Sequence, residues 1–155
     1  MEEATDPDAL PLGLAASEIM VVLPPGSTAI TQGYTLVKRL AHNFGKRQFR
    51  LLLNRMESPE QAQAVAHNFA HTAERYLGVS VDYLGYIPLD ERLTRAGHLH
   101  TSVVDAFPVA QSTSQFRKLA DGLLRWPQPP TLGSVGGFMQ RVIQGSSLVD
   151  ACRRG

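Results

Sequence analysis

The chain has 155 residues, of which 43% are apolar and 19% charged, a balance that fits one globular domain and excludes a disordered chain. Fifteen basic residues against 14 acidic ones leave a formal charge of +1, and no basic run or aromatic-basic stripe points to direct nucleic-acid contact. No stretch reaches the ~20 apolar residues of a membrane span, and the acidic start Met1–Asp6 lacks the basic and apolar regions of a signal peptide.

Residues 1–13 are acidic and proline-punctuated and read as a flexible lead-in, with a helical turn over Pro11–Ser17 as an option. Glu18–Leu23 (EIMVVL) reads as a fully buried strand. The chain then turns at Pro24-Pro25-Gly26. From Thr28 to Phe44 the apolar residues Ile30, Tyr34, Val37, Ala41 and Phe44 share one helical face, and Gly45 ends the helix. Phe49–Leu53 predicts a second buried strand that closes on Asn54-Arg55.

Ser58-Pro59-Glu60-Gln61 is a helix start. Ser58 suits the N-cap, Pro59 the first helical position, and Gln61 can complete a capping box. The helix runs through Ala62, Val65, Ala66, Phe69, Ala73 and Tyr76 until Gly78. Val79–Ile87 predicts a third strand, ending at Pro88, and Asp90 caps a short helix over Glu91–Ala96. Ser112–Leu124 predicts another helix with Phe116, Leu119, Ala120 and Leu123 turned inward. Prolines 127, 129 and 130 mark a linker over 126–134. The alternation of strand and helix predicts an α/β fold, a partial doubly wound parallel sheet of about three strands with flanking helices.

In such sheets ligands gather outside the carboxyl ends of the strands. Three segments lie there: Pro24–Thr31, Asn54–Ser58 and Pro88–Arg92. Each offers backbone N–H groups at a helix start. Asn54 carries a donor and an acceptor, so it can pair with an adenine edge; capping its own turn is the simpler role. No G-x-x-x-x-G-K-[ST] and no G-x-G-x-x-G occurs in the sequence. Nor does a nucleophile–histidine–acid constellation stand out.

His67 and His71 have the i, i+4 spacing of metal ligands, but the H-E-x-x-H pattern is missing and both fall off the core face. They read as a solvated helix face, and no metal site is assigned. Cys152, the only cysteine, has no partner and fits a reducing, cytoplasmic setting. In the last segment Val135, Phe138, Met139, Val142 and Ile143 line one face of a short amphipathic helix within 135–155. That face suits a membrane surface, a partner groove, or packing on its own domain.

Four blocks taken in order carry a resemblance: AASEIMVVLPPGSTAITQGYTLVKRL, FRLLLNRMESPEQA, RYLGVSVDYLGYIPLDERLTRA and VVDAFPVAQSTSQFRKLADGL. Together, across 14–125, they resemble the carboxyl-terminal half of the MinD/ParA family of P-loop ATPases, in its flagellar-number regulator branch (FlhG/FleN-like). The resemblance implies a P-loop NTPase-type sheet without its P-loop half. It implies an adenine-side rim at Asn54, Arg55, Pro88, Leu89 and Asp90, a partner or dimer surface at Gly26, Thr28, Thr31 and Gln32, and membrane targeting by residues 135–143. Family members dimerise around ATP and magnesium and work on the inner membrane face. In this chain Gly26 stands where many members carry glutamate and Gln32 where many carry aspartate. The phosphate loop, the magnesium-binding hydroxyl and the switch aspartates have no counterpart; Asp6 and Asp8 lack the glycine context.

The expected function is therefore that of a truncated or degenerate regulator, inactive as an ATPase alone and acting by protein or membrane-surface contact. No cofactor is expected for this chain by itself. The expected partner is a flagellar regulator or a separately encoded P-loop half that would complete an ATPase. A small scaffold that pairs sheet edges with itself, as a homodimer, is the remaining alternative.

Overall fold

The computed structural model describes residues 18–125. The lead-in over 1–13, the linker over 126–134 and the terminal amphipathic segment over 135–155 lie outside those residues.

The elements run β1 (Met20–Leu23), α1 (Ser27–Phe44), β2 (Gln48–Met56), α2 (Pro59–Leu77), β3 (Ser80–Pro88), α3 (Glu91–His98), α4 (Val103–Ala106) and α5 (Gln111–Leu124). The strands form one parallel sheet in the order β1-β2-β3. The expected partial doubly wound sheet with flanking helices is what forms. Both crossovers step the same way across the sheet, so right-handedness puts α1 and α2 on one face. That face holds the main core. Val21, Leu23, Phe49, Leu51 and Leu53 of the sheet meet Val37 and Ala41 of α1 and Ala62, Ala66, Phe69 and Ala73 of α2. After β3 the chain crosses over, and Leu119 of α5 lies over Gly85 on the opposite face.

α5 covers that second face only beside β3. The first strand was expected to be buried on both sides. It is shorter, and its side chains alternate: Val21 and Leu23 are buried, while Met20 and Val22 are 44% and 42% exposed. A groove of about 470 Å³ remains between α5 and the sheet, lined by Met20, Leu52, Leu84, Phe116, Leu119 and Leu123. The expected inward face of α5 is therefore partly wrong. Leu119 is half-buried, but Phe116, Ala120 and Leu123 are exposed because no described residue lies across the groove. Arg50 bridges the open face, pairing with Asp82 at 3.0 Å and Glu18 at 3.8 Å.

Gly45 and Gly78 close α1 and α2 in left-handed conformations. The Ser58 hydroxyl accepts the Gln61 amide at 3.1 Å, as expected. The return bond is displaced by one residue: the Gln61 side chain accepts the Glu57 amide at 3.0 Å rather than that of Ser58. Tyr76, expected on the apolar face of α2, is 67% exposed; the next residue, Leu77, takes the buried position. α3 extends beyond Ala96 to His98, and the short helix α4 had no sequence signal.

A second, smaller cluster joins α3, α4 and the start of α5 through Ala96, Val103 and Ala110. Within it the buried Thr113 hydroxyl lies 2.8 Å from the Phe107 carbonyl and 3.1 Å from the Val103 carbonyl. It fixes the turn between α4 and α5.

Candidate functional site

The rim expected from the sequence lies at the carboxyl end of the sheet. Asn54 and Arg55 do not form a loop after β2, as expected; they belong to the strand. They sit there in a bulge. Leu53 pairs with Tyr86 and Met56 with Pro88, so two residues of β2 face one of β3. Arg55 takes φ 59°, a left-handed conformation costly for a side chain with a Cβ. A bulge at a strand end re-aims side chains away from the ladder. Here it leaves Asn54 half-buried and Arg55 exposed at the rim.

The neighbouring segment is tied to the bulge. The Leu89 amide donates to the Met56 carbonyl at 2.9 Å, which holds Pro88-Leu89 against the end of β2. Pro88 is buried within β3, and the Leu89 side chain is 54% exposed. The structure thus brings Asn54, Arg55, Pro88 and Leu89 together as one polar-apolar edge.

Asp90 is used differently from its neighbours. One carboxylate oxygen accepts the Arg92 amide at 2.9 Å and caps α3. The other accepts the Ser112 amide at 3.1 Å and the Ser112 hydroxyl at 2.7 Å at the start of α5. Desolvation pushes this carboxyl up. The Ser112 hydroxyl, the Ser112 and Arg92 amides and the Arg92 charge outweigh it and hold the group below its ordinary range. Both oxygens are committed to helix starts, which leaves Asp90 in an architectural role. The capping of α3 was legible in the sequence; the second cap joins residues 22 positions apart and was not.

On the β1 side Gly26 occupies the N-cap of α1 at φ 115°, with no side-chain cap and no acidic residue in the first turn. Gly26, Thr28, Thr31 and Gln32 are all exposed. The Thr31 hydroxyl is spent on the Ser27 carbonyl at 2.9 Å. This helix start is open to an anion or a partner's polar group, but it carries no lysine-bearing phosphate loop. Among the described residues no group of three or more His, Cys, Asp or Glu could hold a metal ion. Nor is any described helix long and apolar enough to cross a membrane.

Over 131 residues the chain is 31% identical to Antiactivator FleN of Pseudomonas aeruginosa, a match that takes in 84% of this chain and 47% of that protein. The chain spans about half the length of that protein. The match agrees with the flagellar-regulator branch of the MinD/ParA resemblance carried by the four sequence blocks. No family model matches the chain. The three-stranded parallel sheet with its flanking helices is consistent with a partial P-loop NTPase-like fold.

Proposed function

We propose that this chain takes part in control of flagellar number and placement by binding a protein partner, without hydrolysing nucleotide by itself. The observation that carries the reading is 31% identity sustained over 84% of the chain. Phosphoryl transfer needs a cradle for the phosphates and a hydroxyl for the metal. Neither motif occurs in these 155 residues. The rim at Asn54, Arg55, Pro88 and Leu89 would suit the base of a nucleotide but cannot position its phosphates. The exposed start of α1, with Gly26, Thr28, Thr31 and Gln32, is the partner surface in this reading. Titration of the chain with ATP and magnesium is expected to give no tight binding. Micromolar, magnesium-dependent binding would overturn the non-catalytic reading.

A second reading rests on the sheet. The edge of β1 is unpaired among the described residues, and the face beside it is half covered. A separately encoded P-loop half would pair with that edge and cover that face, giving a complete ATPase that uses ATP and magnesium. Mixing the chain with such a half should then produce ATP hydrolysis that neither piece shows alone. If the edges instead pair with each other, the chain is a homodimeric scaffold, seen as a dimer by sedimentation without added partner.

Val135, Phe138, Met139, Val142 and Ile143 are proposed to add a contact with the inner membrane face of the cell. Liposome flotation of the full chain against a Phe138→Glu, Ile143→Glu variant tests this. Equal flotation of the two would remove the membrane contact from the proposal.

A further inference from the structure

We propose that His67 and His71 form a two-imidazole site for a divalent transition metal of the copper and zinc class. The two rings lie on adjacent turns of α2, with centroids 6.2 Å apart and planes inclined by 22°. Both side chains are exposed, so a metal can reach them without opening the core. They stand near the middle of a 19-residue helix whose opposite side is anchored by Ala62, Ala66, Phe69 and Ala73. The helix backbone therefore holds the two side chains on one face within reach of a shared ion, which rotation of the exposed rings brings onto both imidazoles.

Neutral imidazole is a borderline ligand that suits copper, zinc and nickel and has little affinity for magnesium or calcium. With no third protein ligand among the described residues, the remaining coordination positions fall to water. Such a site is open and exchangeable, unlike the closed four-ligand sites that hold structural zinc. The remaining histidines do not match it. His42 lies in the last turn of α1, and His98 and His100 flank Leu99, where no i, i+4 imidazole pair arises.

The site lies on the outward side of α2, separate from the carboxyl-end rim, and does not depend on the proposed function. Calorimetric titration of the full chain with CuCl2, ZnCl2 and MgCl2 tests it. One ion per chain is expected, copper tighter than zinc, with no magnesium uptake. His67→Gln and His71→Gln should each weaken copper binding at least tenfold, while a His98→Gln, His100→Gln variant keeps it. Zinc should raise the thermal midpoint of the parent and of the last variant only. Unchanged copper binding in His71→Gln, or its loss in His98→Gln, His100→Gln, would overturn the proposal. Circular dichroism confirms that each variant keeps its helix.

Discussion

The Ser112 hydroxyl donates to a carboxylate oxygen of Asp90 at 2.7 Å, and the Ser112 backbone amide donates to the same oxygen at 3.1 Å. Since the second oxygen caps α3, one side chain fixes two helix starts and the angle between them. Replacing a cap residue by alanine costs ~1 kcal/mol, and Asp90 serves two helices. Asp90→Ala is therefore expected to lower stability by about 2–3 kcal/mol in urea unfolding. Ser112→Ala, which keeps the amide bond, should cost about 1 kcal/mol.

The same carboxylate makes stability pH-dependent. Its acidity is enhanced in the fold, so its contribution is complete above the unfolded-state value of about 3.9 and is lost as pH falls through the lower folded value. The stability difference between the parent and Asp90→Asn should be constant above about pH 5 and should shrink below about pH 4. Urea midpoints measured from about pH 6 down to about pH 3 check the sign.

Gly33 of α1 presses on β1. A Cβ built there would lie 2.5 Å from Leu23 Cδ2, and Leu23 is itself 5% exposed within the core. The leucine side chain or the helix must shift to make room. Gly33→Ala should therefore destabilise by about 1–3 kcal/mol despite the better helix propensity of alanine. Pairing it with Leu23→Val should recover part of the loss, which a double-mutant cycle measures.

Arg55 gives the opposite expectation. Its left-handed conformation at the bulge favours glycine, so Arg55→Gly should leave stability unchanged or raise it by up to about 1 kcal/mol. Arg55→Ile should lower it by about 1–2 kcal/mol. Thermal unfolding of the two variants separates strain at this position from any packing role.

The open side of the sheet predicts self-association. Met20, Val22 and Leu123 expose apolar surface beside a strand edge that is unpaired among the described residues. A Met20→Lys, Val22→Lys variant should sediment as a monomer at concentrations where the parent associates. Both side chains point away from the core, so a loss of stability above about 1 kcal/mol is not expected.

Most of the local structure was legible because its causes are local. Ser58-Pro59 starts a helix whatever surrounds it, and Gly78 ends that helix for a backbone reason. The apolar face of α1 was readable from spacing alone because Val37 and Ala41 meet a fully covered sheet face. The same logic failed for Met20, Val22, Phe116 and Leu123. An apolar run looks identical whether its second face is covered or open, and coverage depends on elements far away in the chain. At the rim, the sequence placed Asn54 and Arg55 at the right end of the right strand. It could not show the bulge, which is a mismatch between two strands, or the Asp90–Ser112 bond, which joins two distant turns.

The chain changes sides at Leu89 and Asp90, passing from the α1–α2 side of the sheet to the α5 side. With helices on the first side, right-handed crossovers carried the strands from β1 outward to β3. From the second side the same handedness runs backward, past β2 and β1. A parallel strand reached from α5 by a right-handed crossover would add at the edge of Met20–Leu23. The shortest strand of the sheet is thus the edge toward which the handedness of the fold directs a chain leaving α5.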